Sequence, residues 1–167
     1  MDKQVFDEIQ KTSNLQTMGA MKILVVTTRG SSIRSAKDNL IGHRVERCMS
    51  GCRCCDEEPK EAILKNRWDV ILFDFEDEYD PEHVIGGVLV TVLFAVKQGV
   101  KYVAVVINNA AHREHPCYIS NVFNSCNGIF LVNNAKIFIA DKVDRIVEGK
   151  DIGCIDWEKI LEQLINT

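Results

Sequence analysis

The feature that most limits the possible folds of this chain is an apolar run, residues 68–78, that ends abruptly in acidic residues. Its centre, residues 70–73, consists of four consecutive large apolar side chains, three of which are β-branched or aromatic. Such a run predicts a β-strand that is buried on both faces, as in a parallel sheet covered by helices. Asp74 then falls at the carboxyl end of this strand. Because ligands of open α/β sheets bind beyond the carboxyl ends of the strands, Asp74 is the first candidate functional residue.

Segments with strand and helix patterns alternate along the rest of the chain. The predicted strands are residues 22–26, 44–49, 70–73, 101–107 and 129–132. The predicted helices are residues 33–41, 57–66, 81–98, 117–124 and 156–165. This order is typical of a mainly parallel five-stranded sheet with right-handed crossovers and helices on both sides. We therefore expect an α/β protein, a three-layer α/β/α sandwich of the flavodoxin-like type.

One segment departs from the regular alternation and predicts a hairpin. Residues 136–139 form a second apolar run, and only Asn133, Asn134 and Ala135 separate it from the strand at 129–132. A short connection rich in asparagine between two apolar runs is typical of a β-hairpin. The far edge of the sheet would then be antiparallel.

The size and charge of the chain limit its organisation and its partners. Its 167 residues, 46% of them apolar, suffice for one core, so we expect a polar N-terminal arm (residues 1–20) and one domain (residues 21–167). A net charge of -4 argues against a nucleic-acid partner. No apolar run reaches the roughly 18 residues of a membrane helix, and residues 1–20 lack the core of a signal peptide. We therefore expect a cytoplasmic protein with no membrane partner.

The turn after the first strand is rich in hydroxyl groups and leads directly into a helix. It contains Thr27, Thr28, Arg29, Gly30, Ser31 and Ser32. A glycine-containing turn at a helix N-terminus suits an anion, so a small phosphate-bearing ligand is one candidate for this crevice. The alternative is that Ser31 or Ser32 only caps the helix.

Paired asparagines follow the predicted fourth and fifth strands. They are Asn108 and Asn109, then Asn133 and Asn134. Carboxamides both donate and accept hydrogen bonds, so four of them at one edge of the sheet would suit a nucleobase or an amide. The alternative is that they are turn residues, because asparagine tolerates a left-handed backbone.

Seven cysteines in a chain expected to be cytoplasmic indicate thiols or metal ligands rather than disulfides. Four of them cluster, Cys48, Cys52, Cys54 and Cys55. Their spacing matches no familiar zinc motif, and a metal site, a redox pair and small residues in a strand and turn all remain open.

The pattern of residues 23–26, 40–45 and 68–74 is similar to the first half of a response-regulator receiver domain. The resemblance implies that Asp74 lies where receivers carry the phosphoacceptor aspartate. It also implies a departure, because receivers hold a divalent cation with an acidic pair where this chain has Thr27 and Thr28.

Two further receiver positions differ in this chain. Asn108 stands where receivers have a serine or threonine after the fourth strand, and Asn133 stands where they have a lysine, with Lys136 displaced. Phosphoryl transfer to Asp74 would lack the groups that neutralise developing charge. The resemblance therefore implies a pseudo-receiver, a non-catalytic regulatory or ligand-binding module with a small ligand or a protein partner.

A second resemblance indicates an enzyme. Asp80, Pro81, Gly87, Ala95 and Gly99, followed by a strand, look like the central segment of nucleoside 2-deoxyribosyltransferases. The catalytic glutamate of that family would fall near Thr91, which cannot serve as the same nucleophile.

Two alternatives to a regulatory module therefore stay open. One is an enzyme that acts on a nucleoside, nucleotide or other phosphate-bearing substrate and uses Asp74, Glu76 or Asp80. The other is a flavin-type redox carrier, because the turn after the first strand also resembles a flavodoxin phosphate loop. The sequence identifies no cofactor.

The predicted helix at 81–98 contains no charged residue between Val84 and Val96. A sheet covers only one stripe of such a helix, and a monomer rarely leaves a large apolar patch in water. Either the N-terminal arm or a second subunit could cover the rest of the helix, and the pattern favours a homodimer that buries part of it.

Overall fold

Strands and helices alternate along the chain. The structure, a computed structural model, describes residues 19–27, 30–49, 58–75, 81–107, 128–141, 144–147 and 150–167. The strands are β1 (Lys22–Thr27), β2 (Arg44–Met49), β3 (Val70–Phe75), β4 (Tyr102–Ile107), β5 (Gly128–Val132), β6 (Ala135–Asp141), β7 (Asp144–Val147) and β8 (Lys150–Ile155). The helices are α1 (Gly30–Asn39), α2 (Pro59–Lys65), α3 (Pro81–Lys97) and α4 (Trp157–Asn166). The predicted helix at 117–124 and nearly all of the N-terminal arm lie outside the described residues.

The main sheet contains six strands in the order β2-β1-β3-β4-β6-β5. The first five strands in this order run parallel to one another, and β5 runs antiparallel to β6. The α/β class and the mainly parallel sheet are therefore confirmed, whereas the expected count of five strands is wrong. The sixth strand is β6, which contains the predicted run at 136–139 and lies between β4 and the edge strand β5.

The β5–β6 hairpin is confirmed, and its turn explains the two asparagines. Asn133 and Asn134 have φ values of 49° and 66°. Two consecutive residues in the left-handed region form the tight turn that matches the twist of a hairpin, and asparagine adopts this region more readily than most residues. A second antiparallel pair, β7 and β8, forms a separate two-stranded sheet that the sequence did not predict.

The core has two parts, one on each face of the sheet. Leu24 and Val26 of β1 belong to one buried cluster, together with residues of α2 and α3. Ile23 and Val25 belong to the other cluster, together with residues of α1 and α4. Because successive side chains of a strand point to opposite faces, both faces of the central strands are buried. This is the burial that the uninterrupted apolar pattern of β3 predicts.

Helix α4 closes one of these clusters. The Asp156 carboxylate accepts a hydrogen bond from the backbone N–H of Lys159 at 3.1 Å, so Asp156 is the predicted N-cap. The apolar face of α4 is fully buried and consists of Trp157, Ile160, Leu161 and Leu164. Both features were expected from the amphipathic pattern of residues 156–165.

Helix α3 contains the uncharged segment of residues 84–96, and it has a buried and an exposed side. Val88 is 4% exposed, whereas Leu89, Val90 and Leu93 are 43%, 54% and 56% exposed. Leu89, rather than Val88, is therefore the outward-facing residue. No helix in the described ranges is long and apolar enough to cross a membrane.

His43 provides a pH-dependent contact beside β1. Its Nδ1 atom accepts a hydrogen bond from the backbone N–H of Met21 at 3.2 Å, which requires the neutral ring. Burial lowers the pKa of His43 below its ordinary value of 6.5. The unfolded chain therefore binds the proton more readily than the folded chain, so this contribution to stability is complete above pH 6.5 and is lost as the pH falls through the lowered pKa.

We expect a His43→Gln variant to lose less thermal stability than the wild type between pH 7 and about pH 5. The reason is that glutamine has no proton to bind in this range. Thermal melts across the pH series, followed by circular dichroism, measure the difference. Parallel pH profiles for the two proteins would contradict the assignment.

Candidate functional site

Asp74 lies at the carboxyl end of a central strand. It is the fifth residue of β3, and its register partners are Thr27 on β1 and Val106 on β4. Only 5% of its surface is exposed. Its predicted position beside the turn after β1 is therefore confirmed.

Two hydroxyl groups donate hydrogen bonds to one oxygen of this carboxylate. Thr27 Oγ1 donates to Asp74 Oδ2 at 3.1 Å, and Ser32 Oγ donates to the same atom. A carboxylate can only accept, so both hydroxyl protons must point towards it. Thr27 and Ser32 are themselves buried. The three side chains, which we call the Asp74 cluster, join β1, β3 and the first turn of α1.

Residues near the C-terminal end of the chain also hold the first turn of α1 in place. Trp157 Nε1 donates a hydrogen bond to the backbone carbonyl of Ser32 at 3.1 Å. Ser35 Oγ donates to the backbone carbonyl of Ile155 at 2.9 Å. Both bonds are buried, and they connect α1 to β8 and α4. The position of Ser32 relative to Asp74 therefore depends on the C-terminal helix.

The negative charge of Asp74 at this turn is the opposite of the charge that an anion-binding site requires. The Asp74 carboxylate lies within hydrogen-bonding distance of Ser32, close to the positive end of the α1 helix dipole. Thr27 and Ser32 donate to this carboxylate, so these protons do not serve a ligand phosphate. A phosphate beside them would meet a buried negative charge. The cluster favours a ligand that presents a cationic nitrogen or a hydrogen-bond donor.

The structure brings together only some of the residues predicted for the crevice. Gly30 and Ser31 begin α1 and are exposed, next to the Asp74 cluster in sequence. The other predicted residues of this edge lie outside the described residues: Thr28, Arg29, Glu76, Asp80, Asn108 and Asn109.

Asn133 and Asn134 do not reach the crevice. They form the turn between β5 and β6, and Lys136, which follows them, pairs with Tyr102 at the start of β4. The turn therefore lies at the amino ends of the parallel strands, opposite Asp74. The expectation assumed that strand 129–132 runs parallel to its neighbours, but it is antiparallel, so its carboxyl end points the other way.

Cys48 is part of the core. It lies on β2, is fully buried and belongs to the apolar cluster that includes α2 and α3. Cys52, Cys54 and Cys55 lie outside the described residues. Within the described residues no group of three or more His, Cys, Asp or Glu side chains is placed to hold a metal ion.

Thr91 occupies the position implied for the deoxyribosyltransferase glutamate. It lies in the middle of α3 and is 7% exposed. A threonine there cannot form the covalent intermediate that a carboxylate forms.

Ser35 and Trp157 were not predicted as neighbours of the site. Trp157 was expected only in the apolar face of α4, and its bond to α1 spans 125 residues of sequence. A serine in an amphipathic helix has no local signal for a buried partner, so this contact had no basis in the sequence.

Comparisons with known proteins do not place the chain in a family. No family model matches it, and no curated protein or solved structure is significantly similar to it. The chemistry of the Asp74 cluster is therefore the main guide to function.

Proposed function

We propose that this chain is a non-catalytic regulatory or ligand-binding module, a degenerate relative of response-regulator receiver domains. The proposed architecture is a three-layer, flavodoxin-like α/β/α sandwich. Its support is the order of the five parallel strands, β2-β1-β3-β4-β6, which corresponds to the flavodoxin-like order 2-1-3-4-5. The observation that carries the proposal is the buried Asp74 carboxylate at the carboxyl ends of β1 and β3.

The boundary between β1 and β3 is where a ligand is expected. In sheets of this order successive strands are added in opposite directions on the two sides of this boundary, and a crevice opens beyond the carboxyl ends of the strands. Thr27 and Asp74 are register partners at this boundary. A small ligand in the crevice would therefore meet the Asp74 cluster at its floor, and an amine or a base edge with N–H donors would suit the carboxylate.

The same contacts argue against a phosphoacceptor role. A nucleophilic carboxylate oxygen must approach the phosphorus in line, but Asp74 is 5% exposed and its Oδ2 atom already accepts from two hydroxyls. Thr27 stands where the resemblance implies a cation-binding acid, and it donates to Asp74 instead. Metal ions supply much of the charge stabilisation in phosphoryl transfer, so a threonine in place of that acid makes the site less suited to it.

A phosphorylation assay tests this step. We expect no phosphoryl adduct on Asp74 after incubation with acetyl phosphate and Mg²⁺, as measured by intact-protein mass spectrometry. An Asp74→Asn variant treated in parallel identifies modification at other residues. A mass increase that is present in the wild type and absent from this variant would show that Asp74 is a working phosphoacceptor.

A thermal-shift screen tests ligand binding. We expect a compound from a panel of nucleosides, nucleotides and small primary amines to raise the melting temperature of the wild type. Ligand at 100 times its Kd stabilises the native state by about 2.7 kcal/mol, which such a screen detects. Asp74→Asn should lose this shift, because its amide group carries no negative charge.

Asp69→Asn is the matched control for that screen. Asp69 is an exposed carboxylate at the opposite end of β3, where it accepts a hydrogen bond from the backbone N–H of Lys22 at 2.8 Å. The variant removes the same charge and should keep the ligand-induced shift. Shifts that are equal in both variants, or a panel that never shifts the wild type, would count against the Asp74 crevice as the binding site.

A further inference from the structure

The solvent-exposed side of α3 is an apolar surface. Leu89, Val90 and Leu93 are all at least 43% exposed, whereas the inner side of the helix is buried. Exposed aliphatic side chains that lie next to one another on a helix mark an interaction surface more often than isolated ones do. On the neighbouring helix α2, which packs against α3, Leu64 is also exposed (62%).

Helical periodicity shows how far this surface extends along α3. At about 100° per residue, positions 82, 86, 89, 90, 93 and 97 fall within an arc of about 100°. We call these six positions the α3 stripe. It begins with Glu82, continues through Gly86 and the three exposed aliphatic residues, and ends with Lys97. The two ends of the stripe therefore carry opposite charges.

We infer that the α3 stripe is a homodimer interface, in which α3 packs antiparallel against α3 of a second copy around a two-fold axis between Leu89 and Val90. In this arrangement each residue of one α3 helix faces a residue of the other α3 helix, and the residue numbers of each facing pair add up to 179. Position 82 faces position 97 of the second copy, position 89 faces position 90, and position 93 faces position 86.

Two properties of the stripe favour a second copy over an unrelated partner. A two-fold interface uses the same surface twice, so it must be complementary to itself. The opposite charges at residues 82 and 97 meet this requirement at both ends of the helix pair. At the centre, Gly86 has no side chain and leaves room for the exposed Leu93 of the other copy.

The length of α3 sets the extent of this interface. A helix of 17 residues such as α3 is about 25 Å long, and α2, which carries the exposed Leu64, packs against it. Stable interfaces bury about 800 Å² on each partner, which is the area that the dimer must reach. The inference is independent of the ligand proposed for Asp74, which lies at an end of the sheet rather than on this helix.

Light scattering and analytical ultracentrifugation of the full chain test the stripe. We expect the wild type to be a dimer at tens of micromolar, and Leu93→Glu to weaken dimerisation by about 100-fold or more, because it buries an unpaired charge at the centre of the interface. Ile41→Glu is the matched control, since Ile41 is an exposed aliphatic residue (84%) after α1, outside the stripe. It should remain dimeric. Circular dichroism confirms that each variant is folded.

A charge exchange tests the antiparallel arrangement directly. Glu82→Lys and Lys97→Glu should each weaken the homodimer by about tenfold, because each variant places like charges at both ends of the helix pair. An equal mixture of the two variants should restore wild-type affinity as a heterodimer, and so should the double variant. In a parallel arrangement residue 82 would face residue 82 and residue 97 would face residue 97. Neither single variant would then weaken the homodimer, because like charges would meet at both ends in the wild type as well.

Three results would overturn the inference. The first is a wild-type monomer at 100 µM, which would leave the stripe to another segment or partner. The second is a dimer that Leu93→Glu does not affect. The third is a pair of charge variants that weaken the dimer separately but are not rescued when they are mixed.

Discussion

Replacing Trp157 with alanine is expected to lower the free energy of unfolding by about 4 kcal/mol. Trp157 is the largest fully buried side chain in the described part of the chain. Truncation removes its apolar contacts with the cluster beneath α1 and α4, and it leaves the Ser32 carbonyl without the indole N–H. Because domains of this size are stable by only about 5 to 15 kcal/mol, a large part of the total would be lost.

Urea denaturation followed by circular dichroism measures this effect. A Trp157→Phe variant separates its two causes, because phenylalanine keeps most of the apolar volume and loses the donor to Ser32. We expect it to cost about 1 kcal/mol, which is the net contribution of one intramolecular hydrogen bond. An alanine variant within 1 kcal/mol of the wild type would show that α4 does not hold α1 in place.

The second large effect is expected within the Asp74 cluster. Asp74→Ala removes a charged acceptor that two buried hydroxyls share, and a hydrogen bond to a charged group contributes about 1.5 to 3 kcal/mol, so we expect a loss of about 3 kcal/mol. Ser32→Ala removes one donor to the same carboxylate and should cost about 2 kcal/mol. The double variant should cost clearly less than the sum, with a coupling energy of about 2 kcal/mol between Asp74 and Ser32.

Ser35→Ala provides the matched control for this cycle. Ser35 is a buried serine on the same helix, but its hydroxyl donates to the Ile155 carbonyl rather than to Asp74. Its effect should add to that of Asp74→Ala within about 0.5 kcal/mol. Simple additivity between Asp74→Ala and Ser32→Ala would contradict the hydrogen bond between these two residues.

Asp74→Asn separates the structural role of this residue from its proposed role in binding. Asparagine retains a carbonyl oxygen that can accept from Thr27 and Ser32, so most of the stability should remain. The negative charge is lost, so binding of a cationic or donor-bearing ligand should weaken. A stable variant that no longer responds to ligand is the combination that the proposed function requires.

Several elements followed from local sequence patterns because their signals lie within a few residues. The uninterrupted apolar run of β3 predicts burial on both faces of the strand. The spacing of Ile160, Leu161 and Leu164 predicts one buried helix face. Asp156 was recognisable as an N-cap because its partner, Lys159, is three residues away. The hairpin at Asn133 and Asn134 was equally local.

The contacts between the residues of the site could not be predicted from local sequence patterns. Asp74 was identifiable from the strand that precedes it, but its bond with Ser32 spans 42 residues, and the bond from Trp157 to Ser32 spans 125. The direction of β5 decided that Asn133 and Asn134 lie opposite Asp74. An apolar strand of five residues has the same pattern in either direction, so the sequence left this choice open.

The sequence by itself determined the α/β alternation, the buried central strand, the carboxylate at its end and the apolar helix α3. Only the tertiary structure decided the sixth strand, the hydroxyl partners of Asp74, the isolation of Asn133 and Asn134, and which side of α3 faces outward. The physical reason is that side-chain periodicity records whether a residue is buried, whereas strand order and direction determine which buried groups meet. In this protein that distinction separates the position of Asp74, which was predictable, from the contacts that set its chemistry.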